Sequence, residues 1–128
     1  MIIVENLAAG HTVLDKLIEK EYPNIYHSYK STHEYVDQVT AEYSNSAIAG
    51  FSTTSKTRPL IIAKMEEFIR NKLLTIYSTR LLEEMKTFIW HHGRPQAMRK
   101  YNDDLVMACA IGCWIRETAF ETNKRDLE

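Results

Sequence analysis

Two adjacent carboxylates, Asp103 and Asp104, follow Asn102 at the start of an almost wholly apolar run, Leu105 to Ile115. The run reads as a buried helix, with Asn102 as its N-cap and the acids at the positive end of its dipole. That pattern has a plain meaning, the polar capping of a core helix. It also has a chemical one, because carboxylates fixed at a helix start beside a core can hold divalent cations. Glu5 is the second candidate. It follows Ile2-Ile3-Val4 and precedes Asn6 and Gly10, so it falls where a short buried strand ends, rigid on the sheet side and open on the loop side. Helical phase separates the two aspartates. Asp104 aligns with Ala108, Ile111 and Ile115 on the core side, and Asp103 with Ala110 and Glu117 nearer the polar side. Asp104 is therefore the expected ligand and Asp103 its cap or support.

Other reactive side chains carry less. Cys109 and Cys113 lie at i, i+4 spacing inside the apolar run and read as a buried, reduced pair. A zinc site would need two more ligands, and none lies at a familiar spacing. His91 and His92 are neighbours at a strand end, where successive side chains point to opposite faces, which argues against a shared metal. His11, His27 and His33 are isolated.

The elements that must position these groups follow from periodicity. Gly10 to Lys20 is an amphipathic helix, with Val13, Leu14, Leu17 and Ile18 on one face and Pro23 as its stop. Ile25 to Tyr29 is a short strand, and Lys30 to Thr54 the loosest segment, a loop or hairpin at a working surface. Thr57 caps a helix with Pro59 in its first turn; it runs to about Lys72 and buries Leu60, Ile61, Met65, Phe68 and Ile69. Leu73 to Tyr77 is a further short strand. Ser78 caps a helix whose apolar face is Leu81, Leu82 and Met85, leading into a strand at Phe88-Ile89-Trp90. His91 to Pro95 is turn chemistry, and Arg94 to Lys100 a basic loop that delivers the chain to Asp103. Alternating strands and helices define an α/β domain, with no internal repeat and no second domain.

The 128 residues suffice for a single core. No apolar run reaches the roughly 18 residues that span a bilayer, and the first residues lack the basic start of a signal peptide, so no membrane is expected. The net charge of −1 hides an uneven distribution. Residues 1–50 carry three basic against seven acidic side chains, residues 51–100 ten against four, and residues 101–128 three against six. A basic middle between acidic ends suits a protein that grips phosphates in one place and holds metal in another. Lys56, Arg58, Arg94, Arg99 and Lys100 sit in or beside loops and are the expected phosphate contacts. The chain opens directly on a core strand, which implies that earlier strands of the same sheet lie elsewhere.

Three blocks occur in a telling order. They are Ile3-Val4-Glu5-Asn6 with Gly10-His11-Thr12-Val13-Leu14; Gly50 through Ile62, containing Thr57-Arg58-Pro59; and Met85-Lys86-Thr87-Phe88-Ile89-Trp90 followed by Tyr101-Asn102-Asp103-Asp104-Leu105-Val106-Met107-Ala108. Up to about residue 119 the chain resembles the C-terminal part of the nuclease domain of the large terminase subunit of tailed bacteriophages, the DNA-packaging motor. The resemblance implies a partial RNase H-like α/β fold, a mixed sheet flanked by helices with its first strands missing. It implies a metal-dependent endonuclease that cuts double-stranded DNA during genome packaging, in the host cell cytoplasm as virions assemble. Three acidic positions of that family hold two Mg2+ or Mn2+ ions, about 4 Å apart in such sites. Glu5 matches the second position and Asp103–Asp104 the third, as catalytic and metal-binding residues; the first, an aspartate on the opening strand, has no counterpart here. No G-x-x-x-x-G-K-[ST] pattern occurs, so the ATPase domain is not among these residues. The implied partners are double-stranded DNA, the remainder of the large subunit with its ATPase domain and first nuclease strands, the small terminase subunit and the portal. The alternatives are a non-catalytic DNA-contacting or docking module that keeps the fold, and an unrelated RNase H-like enzyme such as a resolvase.

Overall fold

A computed structural model of the chain describes residues 1–29 and 47–126. It divides them between two compact units, Met1–Thr53 and Thr54–Glu128.

In the first unit, Ile2 to Glu5 is extended but only half-buried, where a fully buried strand is expected. It makes two isolated parallel bridges, Ile2 to Ile25 and Glu5 to Phe51, rather than a continuous ladder. Helix α1, Ala9–Glu19, follows at once. Of its apolar face only Leu14 is buried, while Val13 and Ile18 stay exposed. The helix ends before Pro23: the amide of Lys20 bonds back to Lys16, and Glu21 turns the chain with a φ of 53°. Strands β1, His27–Tyr29, and β2, Ala47–Ala49, pair antiparallel with Ser28 opposite Ile48. Residues 30–46, most of the loose segment and with it His33, lie outside the described residues.

Two glycines let this unit close. Gly10 sits so tightly on the end of the first segment that a Cβ there would fall 1.8 Å from the Glu5 carbonyl oxygen. Gly50, with φ of +87°, has the Val4 carbonyl oxygen 2.5 Å from where its Cβ would be, and Leu14 and Asn6 close behind. Neither position admits a side chain, and only glycine takes the second backbone shape freely.

The second unit holds helices α2, Thr57–Arg70, α3, Thr79–Lys86, and α4, Asp104–Asp126. The first of these starts with a reciprocal pair of threonines. Thr54 Oγ1 accepts the Thr57 amide at 3.1 Å, and Thr57 Oγ1 accepts the Thr54 amide at 2.8 Å. Thr54 thus performs the capping expected of Thr57, in the manner of a capping box. Ile61, Met65 and Phe68 of α2 are buried, but Leu60 and Ile69 are not, because the inward face carries Arg58 in their place. Ser78 caps α3 as expected, accepting the Leu81 amide at 3.2 Å. Residues 73–78 ahead of it form no strand.

Strands β3, Phe88–His91, and β4, Arg94–Ala97, make an antiparallel hairpin with Trp90 opposite Pro95. His92 and Gly93 form its two-residue turn, both with positive φ, the geometry whose twist matches the strands. The basic loop expected at 94–100 is therefore half strand. Only Met98 to Tyr101 is a turn, closed by the Tyr101 amide on the Met98 carbonyl at 3.0 Å.

Helix α4 packs on α2 and α3. Its buried side chains are Val106, Met107, Ala110, Ile111, Cys113 and Ile115, whereas Ala108 and Gly112 are exposed. The architecture is mixed: four helices and two small antiparallel sheets among the described residues, compatible with α/β. Among those residues no helix is long and apolar enough to cross a membrane.

Candidate functional site

The buried face of α4 is wide enough to include the phases of both aspartates, and Asp103 rather than Asp104 is the more buried of the two. Val106, Ala110 and Cys113 share the phase of Asp103, and Met107, Ile111 and Ile115 that of Asp104, all of them buried; of the two aspartates Asp103 is half-buried and Asp104 exposed. A run apolar on nearly every side leaves the inward face ambiguous until a neighbour packs against it.

Asp103 meets Arg58. The guanidinium donates through one terminal nitrogen to Asp103 Oδ2, and through Nε to the Pro95 carbonyl at 2.7 Å. Asp103 Oδ2 also accepts the Ala97 amide at 3.3 Å. Arg58 is only 8% exposed. Its assignment as a phosphate contact is corrected accordingly: it is a buried tie between the start of α2, strand β4 and the entry to α4. A buried guanidinium requires such partners, since an unpaired charge there costs several kcal/mol.

The capping of α4 is also supplied from a distance. Asn102, the expected cap, is exposed, and the leading amides of Leu105 and Val106 instead donate to Glu84 Oε2, at 2.8 and 3.1 Å. A carboxylate at a helix N-terminus satisfies unpaired donors and faces the positive end of the dipole. Nothing local in the sequence marks Glu84 for this, because the two groups stand 21 residues apart. With Glu84 capping these amides, Asp104 begins the helix with no hydrogen-bond or ion-pair partner among the described residues.

In the first unit Glu5 is half-buried. Its backbone is pinned through its neighbours: the Phe51 amide donates to Val4, and the Asn6 amide to Phe51. Asn6 is 7% exposed and donates through Nδ2 to the Ala49 carbonyl and Ser52 Oγ, locking the end of the segment to the chain leaving β2. Asn6 is a structural clamp that the pattern of residues does not single out.

Lys56 is exposed in the turn before α2, while Arg94, Arg99 and Lys100 are exposed on the hairpin and the turn after it. The rings of His91 and His92 do not diverge. His92 leaves the strand with a φ of 49°, which swings it edge-on to His91 with centroids 4.1 Å apart. Cys109 and Cys113 are free thiols that share a hydrogen bond, one half-buried and one buried. That bond lowers the Cys109 pKa to about 7 against the opposing effect of burial, and the bond, burial and the charge of Cys109 together push Cys113 up.

Among the described residues no three His, Cys, Asp or Glu side chains converge as a metal site. Within each unit the carboxylates fit a hard divalent cation unequally. Asp103 commits an oxygen to a guanidinium; Asp104 and Glu5 have no such partner. Comparison with models of known families, with curated proteins and with solved structures finds no match.

Proposed function

We propose that the chain is the C-terminal segment of an RNase H-like nuclease domain of a viral large terminase subunit, contributing to metal-dependent cleavage of double-stranded DNA during genome packaging. The observation that carries the reading is the state of Asp104. Its backbone is held by a helix already capped by Glu84 and tied down by the Asp103–Arg58 pair, yet its own carboxylate is uncommitted. A metal ligand needs that combination of fixed backbone and free oxygens. Glu5 meets the same description in its own unit, at the end of a bridged extended segment.

In this reading Glu5 and Asp104 are each, in its own unit, a ligand for Mg2+ or Mn2+, while Asp103 keeps the start of α4 in place. Bound ions would activate water and neutralise the charge that develops on the phosphate. The first acidic ligand comes from the remainder of the large subunit. A second reading, DNA contact without cleavage, is favoured by the unpaired cations of the β3–β4 hairpin.

Adding Mn2+ to 15N-labelled chain tests the ligand assignment. Paramagnetic broadening is expected around Asp104 and around Glu5; Asp104→Asn removes the first and Glu5→Gln the second. Broadening at neither position overturns the reading. The chain alone is expected to leave supercoiled plasmid intact with either metal.

A further inference from the structure

The second unit exposes a feature that the carboxylates do not explain. From Thr87 to Asn102 the chain contains Arg94, Arg99 and Lys100 and no acidic residue. Elsewhere in the unit several cations pair with a nearby carboxylate, Lys64 with Glu67, Arg70 with Glu66 and Lys86 with Glu83, while Lys72 and Arg80 stand apart from one another without a partner among the described residues. The three hairpin cations have no such partner among the described residues, although each pairing elsewhere needed only a carboxylate three or four residues away. Beside them stand large apolar side chains that the fold does not bury. Trp90 is 62% exposed, and Tyr101, in the following turn, 57%.

Their placement is ordered. Arg94 lies at the tip of the hairpin, next to the His92-Gly93 turn, and Arg99 and Lys100 lie past its base. The four paired rungs between them run about 10 Å at a strand's rise. Trp90 stands one rung from the tip, opposite Pro95, whose backbone Arg58 fixes from behind. The ribbon thus carries a cation at its tip and two past its base, with an exposed indole one rung from the tip, on the face opposite Arg94 by strand alternation.

From this geometry we infer that the β3–β4 hairpin is a nucleic-acid-binding arm, in which Arg94, Arg99 and Lys100 neutralise phosphates and Trp90 stacks on an unpaired base. The inference takes DNA as its polyanion from the proposed function but does not depend on the metal ligands. Charge complementarity selects the occupant: unpaired cations flanking an exposed aromatic match a strand that offers phosphates and a base face in the same reach. An acidic protein surface would satisfy the cations and leave the indole in water.

The test is a fluorescence titration of the full chain with single-stranded and blunt duplex oligonucleotides at low salt and without divalent metal. Single strands are expected to quench the tryptophan emission more than duplex does, and Trp90→Phe is expected to abolish the change, leaving Trp114 unresponsive. The triple variant Arg94→Gln, Arg99→Gln, Lys100→Gln is expected to bind at least about tenfold more weakly, with the slope of log K against log salt shallower by about two to three. A second triple, Lys20→Gln, Lys72→Gln, Arg80→Gln, removes the same charge elsewhere and is expected to change affinity less than about twofold. Equal losses from the two triples overturn the proposal. So does a quench that survives Trp90→Phe, a quench by duplex alone, or no binding. Near-ultraviolet circular dichroism of each variant confirms its fold, and Mn2+ broadening at Asp104 persists in the hairpin variants whether or not DNA binds.

Discussion

Arg58 and Asp103, 45 residues apart in sequence, form a part-buried ion pair that joins the first turn of α2 to the entry of α4. Because Nε of the same guanidinium holds Pro95, the pair also fixes the hairpin between them.

Breaking one partner leaves the other charge in a low-dielectric site. Arg58→Met and Asp103→Asn are each expected to destabilise the second unit by about 3 kcal/mol, as for buried pairs elsewhere. Combining them is expected to recover part of that loss, because no buried charge then lacks a partner. Urea unfolding of the three variants measures both effects. Asp104→Asn, by contrast, is expected to change stability by less than about 0.5 kcal/mol, as an exposed residue.

Glu84 exerts its effect on a helix other than its own. Glu84→Ala is expected to cost about 1–2 kcal/mol, the loss of a cap and of a charge at the dipole's positive end. Glu84→Gln retains an acceptor and is expected to lose less. Amide exchange checks the mechanism directly: Leu105 and Val106 lose protection first in the alanine variant, before the body of α4.

Gly50 and Gly93 share positive φ but differ in surroundings. A Cβ at Gly50 meets the Val4 carbonyl at 2.5 Å, and one at Gly93 meets nothing within 4 Å. Gly93→Ala is therefore expected to cost only the backbone strain, about 1 kcal/mol. Gly50→Ala adds a clash with main chain and is expected to cost about 3 kcal/mol or more, confined to the first unit. Exchange protection measured separately for residues 1–53 and 54–128 separates the two outcomes.

Cys109 is expected to be the reactive thiol. With a pKa of about 7, its alkylation rate rises through neutral pH and levels off above it, whereas buried Cys113, shifted upward, stays protonated and slow. Cys113→Ala removes the hydrogen bond that stabilises the thiolate, so the Cys109 profile moves to higher pH. Mass-spectrometric alkylation rates from pH 5 to pH 9 provide the check; identical profiles for the two proteins would refute the assignment.

Features that close within about four residues were legible in the residues alone. Ser78 caps α3, the β3 strand and its turn form where expected, and α1 and α2 occupy nearly the expected spans; α4 starts where expected but runs on to Asp126, past the apolar run that ends at Ile115. Tight turns and helical periodicity are satisfied by neighbours along the chain, so residue type and spacing determine them, whereas of the three expected caps only Ser78 formed. The location of Glu5 at the end of an extended segment belongs to the same class. Burial was legible less well, because Val13, Leu60 and Ile69 have the right spacing yet stay exposed among the described residues.

Tertiary packing alone decided the roles of the charged groups. A helix as apolar as α4 presents several equivalent faces, and with α2 and α3 docked on it Asp103 is half-buried and Asp104 exposed. The same docking brought Arg58 to Asp103 and Glu84 to the amides of Leu105 and Val106. An ion pair or cap across 45 or 21 residues exists only once the helices have packed, since its partners are set by distance in space rather than along the chain.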